Sequence, residues 1–528
     1  MLSSLARRQL RRSDLNTIWT CAKYSTAVNV KADTIALESS YTSALAEEWQ
    51  AAKPFKSIPG PTKFQMVRGF MKGGDFHGMP FDTFIKLCRQ RYGDIYLLPG
   101  MFGQSTNLIT FNLEDYEKIF RTEGPYPVRP GNEVIFEYRL ARKDGLYDEG
   151  NLGVAGNGTQ WGKFRHAVNP VLMQPRNTVL YIDPTQKVNN DFIERIREIR
   201  HPTTLEVPED FLREIKRLAF ESVAVIALDK ELGLVRNKNA VPEAQELFNN
   251  LQTFNASLYD LGIKPSIHRY IKTPTYKKFE KSMDTITDIC RKHVEETLQR
   301  IEGRGADDGK SVLEKLVKID RKIATIMAVD MLMFGVDPTS SIMSAVLLCI
   351  ATNPEKQERL RKEILTAIGR NDAFSMENMK NLPYLRACIK ESMRLYPLIF
   401  GNMRTTAMDL CLSGYQVPKG THVFLTSNML LKEERYFPQA NEFMPERWLR
   451  TKDMDNLKIT NPFVFLPFGF GPRSCVGKRI VELQLEITLA NIVRNFKVEY
   501  NYPTENAFKN YFMNTCVIPL KFKFTDLK

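Results

Sequence analysis

The sequence predicts an α+β fold in which helices dominate and small β-sheets decorate one large domain. Three observations carry this. From Gln160 to about Asn353, apolar residues recur at three- and four-residue spacing, as in Phe211 to Phe220 and Phe279 to Ile301, which is the mark of amphipathic helices. Short β-like runs punctuated by Gly or Pro lie outside that block, at Asp94 to Leu98, at Asn107 to Phe111 and again beyond Arg404. No internal repeat or long low-complexity linker divides the chain, so residues 53–528 read as one domain.

Composition fits a folded protein: 43% hydrophobic and 26% charged, without the biases of disorder. The formal charge of +13 admits nucleic acid, an anionic membrane or an acidic protein as partner. Zinc-finger spacing and basic helices interleaved with aromatics are missing, which disfavours nucleic acid. Eight cysteines lie scattered without CxxC spacing, against both a disulfide framework and a zinc site. Seven read as buried small hydrophobes. Cys475 differs by its neighbours.

Residues 1–32 have the makeup of a mitochondrial transit peptide: Arg7, Arg8, Arg11 and Arg12 on a Leu/Ala background, with Asp14 the sole acid. Residues 33–52 read as a linker, and Lys53 to Pro61 as a proline-stiffened start of the folded body. Ile323 to Ile350 is apolar enough to resemble a membrane span. Asp330, Asp337, Pro338 and three hydroxyl residues interrupt it, so a buried core helix is expected. Asn353-Pro354-Glu355 reads as N-cap, first-position proline and first-turn acid of the next helix. Gly414 to Gly420 reads as a hairpin, and Val517 to Phe524 as a closing one.

Phe465-Leu-Pro-Phe-Gly-Phe-Gly-Pro-Arg-Ser-Cys-Val-Gly-Lys-Arg479 feeds an amphipathic helix, Ile480 to Val493. A glycine-rich loop at a helix N-terminus is expected to lower a thiol pKa, because free N–H groups and the helix dipole favour the thiolate. Gly469 and Gly471 would let the backbone fold tightly under a flat ligand, Gly477 would let the helix start close to it, and Arg473 offers a cation. A phosphate cradle or plain packing are the alternatives. A phosphate loop wants GK[ST] or GxGxxG, and neither is present.

Phe468, Gly469, Gly471, Arg473, Cys475 and Gly477 resemble the F-G-x-G-x-R-x-C-x-G signature of the cytochrome P-450 family. The resemblance implies that fold, a haem b cofactor with Cys475 as axial thiolate and Arg473 on a propionate, and O2 as co-substrate. Glu391 and Arg394 match the family's E-x-x-R, and Arg447 its later arginine, which implies a buried structural triad. Trp161 and Arg165 match W-x-x-x-R, and Arg404 resembles another propionate-binding arginine.

The distal motif departs from the family pattern. Phe334-Gly-Val-Asp-Pro-Thr-Ser340 retains Gly335 and Asp337, but Pro338 stands where a threonine is usual. Asp337 and Thr339 are the catalytic candidates, with Thr339 displaced about 100° round the helix unless proline deforms it. An oxygen-independent isomerase of peroxide-like substrates, or a haem-binding sensor or carrier, are the competing readings.

No flavin or NADPH site is legible, so electrons are expected from another protein. Arg386 and Lys390, four apart on one helix, and Lys478 and Arg479 resemble the basic docking site of mitochondrial family members, which implies an adrenodoxin-type [2Fe-2S] ferredoxin and its NADPH reductase. Leu261 to Lys272 mixes apolar and basic residues and reads either as a membrane-surface contact or as an ordinary packed loop. Phe334, Asp337 and Leu398 to Phe400 are expected to line a largely apolar pocket. The resemblance is to animal, especially insect, mitochondrial members. It implies a monooxygenase on the matrix side of the inner membrane, acting on a steroid, ecdysteroid or xenobiotic.

Overall fold

In the computed structural model, residues 46–100, 105–236, 240–262, 267–303, 311–449, 461–510 and 513–527 are described. The transit-peptide reading and part of the loop after Leu261 fall outside them. The described chain forms two compact units, residues 58–408 with 419–528, and the segment up to residue 57 with 409–418.

The larger unit begins with α1 (Lys63–Phe70) and α2 (Phe81–Tyr92), then the strands β1 (Ile95–Leu98) and β2 (Asn107–Thr110). Next come α3 (Leu113–Thr122), α4 (Glu133–Ala141), α5 (Gly158–Leu172), α6 (Val179–Ile199), α7 (Phe211–Ala227), α8 (Pro242–Gly262) and α9 (Pro274–Glu302). They are followed by α10 (Val312–Ile319), α11 (Arg321–Ala351), α12 (Pro354–Ala367), α13 (Pro383–Leu395) and β3 (Asn402–Thr405). In the smaller unit, β4 (Leu410–Leu412) and β5 (Tyr415–Val417) form a hairpin, and Lys53 bridges to Tyr415. The larger unit resumes with β6 (His422–Leu425), α14 (Lys478–Asn495), β7 (Phe496–Glu499), β8 (Phe508–Asn510), β9 (Asn514–Cys516) and β10 (Lys523–Asp526).

The main sheet has the order β1-β2-β6-β3, with only the β2/β6 pair parallel. Two expected hairpins shift register. Gly414 is in the turn of the first, with Ser413 and Gly414 both at positive φ, so the preceding Leu410–Leu412 is its first strand. At the chain end, β10 pairs with the distant β7 rather than closing on Val517. Strand partners at that sequence separation leave no local signal.

α11 runs through the core, packed on α7, α9, α10 and α13. Its residues are shared between two apolar clusters: Ile326, Met327, Val346 and Leu347 lie in one, Val329, Leu332, Met333 and Val336 in the other. A helix apolar all round has to be buried all round, and 78% of its most hydrophobic window is buried inside the molecule. The expected membrane-like charges are absorbed internally. Asp330 pairs with Arg139 of α4, both fully buried, and also accepts the Val154 N–H at 2.8 Å. Gly153, at φ +62°, passes so close that a Cβ would lie 2.3 Å from the Asp330 carboxylate. Pro338 does not break the helix, which continues to Ala351.

Asn353 is the N-cap of α12, with Pro354 at the first position and Glu355 in the first turn as expected, but it caps without its side chain. Its side chain turns back to donate to the Cys349 carbonyl at 2.8 Å, and no side-chain cap bond forms at α12.

Candidate functional site

The loop before α14 is shaped by two glycines at positive φ, Gly469 at +72° and Gly471 at +64°, a region costly for residues with a Cβ. The Cys475 N–H donates to the Phe468 carbonyl at 2.9 Å, closing the loop. Gly471 also needs its missing Cβ for space, since that atom would lie 2.7 Å from Glu123 Oε1. Gly477 is different. At φ −83° it is ordinary backbone, and a Cβ there would meet only the Cys475 sulfur, at 3.9 Å.

Cys475 is exposed, while the six other described cysteines are buried. Enough protein surrounds the sulfur that burial pushes its thiol pKa up, opposed by a hydrogen bond from the Gly477 N–H and by the charges of Arg165 and Arg129. This corrects the expectation of a lowered pKa: the helix terminus acts in the expected sense, but desolvation outweighs it.

Around the loop the structure gathers four arginines, three of them predicted from sequence. Arg165 of α5 donates twice to the Ser474 carbonyl, at 3.1 Å, and once to Asn169 Oδ1 at 3.0 Å. The Arg473 guanidinium lies 3.7 Å from the Trp161 ring centre, and its Nε donates to the Pro127 carbonyl at 2.6 Å. Arg404, on β3, pairs with Glu123 at 2.5 Å. Arg129 is the fourth; among the described residues its guanidinium has no hydrogen-bond or ion-pair partner. Burial first, and then the charges of Arg129, Arg404 and Arg165, pull the Arg473 pKa down to about 8; burial and Arg404 pull Arg129 down to about 10. Among the described residues, Trp161 Nε1 and one terminal nitrogen of Arg473 are buried without a hydrogen-bond partner. Crowded cations with unfilled donors and one acid among them make a site for an anionic group.

Neither Arg129 nor Glu123 was legible in the sequence. An arginine between two prolines has no periodic signal, and Glu123 ends a helix like any surface acid.

Glu391, Arg394 and Arg447 come together with no side-chain exposure. Glu391 accepts from Arg394 at 2.8 and 3.0 Å, from Arg447 Nε at 3.0 Å, from Trp448 Nε1 at 2.8 Å and from the Met444 N–H at 3.0 Å. Arg394 also donates to the carbonyls of Leu431, Ala440 and Glu442. Such a charge pair is tolerable in the core because nearly every lone pair and proton is used.

On α11, the half-buried residues Met331, Phe334, Gly335 and Pro338 fall on one stripe. Asp337 and Thr339 are not brought together. Two residues apart on an unbroken helix, they point about 200° apart. Asp337 Oδ1 lies 3.1 Å from Lys216 Nζ on α7. The Thr339 hydroxyl is buried without a hydrogen-bond partner among the described residues. Gly335 serves helix packing: its absent Cβ would stand 3.1 Å from Val223 of α7.

The predicted docking cations divide. Arg386 is tied inward, to Glu486 at 2.9 and 3.1 Å and to the carbonyls of Lys380 and Met379. Lys390 is exposed, and Lys478 and Arg479 make loose pairs with Glu482, at 3.8 and 3.7 Å.

A thiol offered from a glycine-shaped loop, arginines beside it and a long helix through the core accompany membership of a known family: the chain belongs to the cytochrome P450 family, whose profile matches residues 58–525. It is a monooxygenase of that family, which works through haem-thiolate and dioxygen. It is 53% identical over 500 residues to a probable cytochrome P450 12c1, mitochondrial, of Drosophila melanogaster, covering 93% of this chain and 95% of that one. It is 47% identical to cytochrome P450 CYP12A2 of Musca domestica, covering 92% and 94%. Among solved structures, the haem domain of cytochrome P450DA shares the fold with a TM-score of 0.70 at 17% identity, covering 90% of this chain and 98% of that one.

Proposed function

We propose that Cys475 is the axial ligand of haem b, and that Trp161, Arg165, Arg404, Arg473 and, in addition, Arg129 hold its carboxylates. The observation that carries this is an exposed cysteine beside four arginines with a single paired acid. The Phe468 carbonyl fixes the Cys475 backbone by accepting its N–H, and the Gly477 N–H donates to the sulfur. When bound, the haem supplies oxygen activation, which the thiolate favours by donating electron density. The chain's own residues position it, exclude water and supply protons from the Asp337 side of α11. A reduced carbon monoxide difference spectrum tests the assignment. The thiolate-shifted Soret band is expected in the native protein and lost in Cys475→Ala; its survival in that variant would overturn the ligand.

Residues 1–32 act as a mitochondrial presequence, in keeping with relatives whose names say mitochondrial. The enzyme works at the matrix side of the inner membrane. Two exposed apolar groups support contact with lipid, Phe64, Val67, Phe70 and Met71 at α1 and Ile267, Tyr270 and Ile271 before α9, more than single surface apolar residues would give. The substrate is lipophilic, a steroid, ecdysteroid or xenobiotic.

Electrons come from an adrenodoxin-type [2Fe-2S] ferredoxin and its NADPH reductase, not from a flavin or NADPH on this chain. Lys390, Lys478 and Arg479 form the docking face, with Arg386 bracing it through Glu486. Lys390→Glu is expected to slow reduction by ferredoxin several-fold at low salt, with the difference closing at high salt. Unchanged reduction rates would remove Lys390 from the interface.

A further inference from the structure

Asn157 precedes α5 in extended backbone, at φ −134°, where an asparagine usually caps the helix with its side chain. No such cap bond forms. The carboxamide turns instead to the segment Pro127 to Arg129. Its Oδ1 accepts the Arg129 N–H at 2.9 Å and its Nδ2 donates to the Arg129 carbonyl at 3.3 Å, so the peptide groups on both sides of that residue are bracketed. The same Oδ1 accepts from a terminal nitrogen of Arg473. Arg473 Nε closes the circuit by donating to the Pro127 carbonyl at 2.6 Å. One neutral side chain, both donor and acceptor, thus holds the backbone of one arginine and the guanidinium of another.

The two arginines it touches are the two with unfilled donors. Arg404 has all three guanidinium nitrogens engaged, on Glu123 and on the carbonyls of Met403 and Phe470. Arg165 has all three engaged too, on Asn169, Met173 and the Ser474 carbonyl. Among the described residues, the Arg129 guanidinium has no hydrogen-bond or ion-pair partner, and Arg473 Nη1 is buried without a hydrogen-bond partner. We infer that Asn157 is the positioning residue of the anion site: it fixes Arg129 and Arg473 in advance, so that their unfilled nitrogens take a haem carboxylate without first having to be ordered. This rests on the arginines being the haem-carboxylate site. It separates the two with open donors from the two, Arg165 and Arg404, that the protein already engages.

The test uses the full-length protein loaded either with haem or with haem dimethyl ester, which keeps the iron and the ring but carries no carboxylate charge. Release of each to excess apomyoglobin is followed by absorbance. The native protein is expected to release the ester faster. Asn157→Ala is expected to speed release of haem by about tenfold, the worth of one hydrogen bond to a charged group, and to leave release of the ester unchanged. Asn157→Asp keeps an acceptor for Arg473 but sets a negative charge beside the arginines, so haem is expected to leave faster still, again with the ester unaffected. A merely structural role would speed both alike in both variants. That outcome, or an unchanged ratio of the two rates, would overturn the proposal. Should Asn157→Ala fail to fold, Asn157→Ser keeps a residue favoured at a helix start and carries the same comparison. A native protein that releases haem and ester at the same rate would instead overturn the arginines as the haem-carboxylate site.

Discussion

The cysteine loop and the distal stretch of α11 are built on opposite principles. In the loop, local chemistry dictates geometry: two glycines take a backbone conformation other residues avoid, and the N–H of Cys475 closes the turn on Phe468. On α11 the backbone is regular through Pro338, and the neighbouring helices settle where each side chain goes. Asp337 is directed by Lys216, Gly335 by Val223, and Phe334 by the Phe254 ring 6.3 Å away. A site made by a turn is written in the residues of that turn; a site made by helix packing is written in its neighbours.

The strongest way to sharpen this contrast is through the scaffold beside the loop. Glu391→Ala leaves Arg394 and Arg447 buried with a lost counter-charge, and is expected to cost about 3–5 kcal/mol or to prevent folding. Urea unfolding of the haem-loaded protein measures it. A loss below about 1 kcal/mol would mean that the carbonyls around Arg394 suffice.

A graded series of glycines sets the two regions against each other. Gly471→Ala meets both a positive φ and the Glu123 carboxylate at 2.7 Å, and is expected to cost about 2 kcal/mol or more. Gly335→Ala meets a single Val223 methyl at 3.1 Å on a regular helix, with no strain in φ. There the crowding is offset by the roughly 1 kcal/mol that alanine gains over glycine in a helix, leaving a net change within about 1 kcal/mol. Gly477→Ala is the mildest, within about 0.5 kcal/mol, despite sitting in the same signature as Gly471. Melting temperatures of the three variants give the order directly. If Gly335→Ala proved the most damaging, the loop would not be the more rigidly specified region.

Much of the fold was legible because it is periodic. The runs at Phe211, Phe279 and Ile323 became α7, α9 and α11, and the runs at Asp94 and Asn107 became the paired β1 and β2. The registers of the later hairpins were not, since β10 finds its partner in β7 across the chain's last stretch. In the site, Trp161, Arg165, Arg404 and Arg473 could be named in advance, but Arg129, Glu123 and Lys216 could not. Each is an ordinary charged residue until the fold closes round it.

By itself the sequence determined the cysteine loop and the passage of one apolar helix through the core, because glycine conformations and hydrophobic periodicity act over a few neighbouring residues; the Glu391 cluster was named only through the family resemblance. Only the tertiary structure decided that burial raises the Cys475 thiol pKa against the pull of its helix terminus, that Arg386 pairs with Glu486 and that Asp337 faces Lys216 rather than Thr339. Desolvation and ion pairing depend on groups brought together from distant parts of the chain, and no local pattern records them.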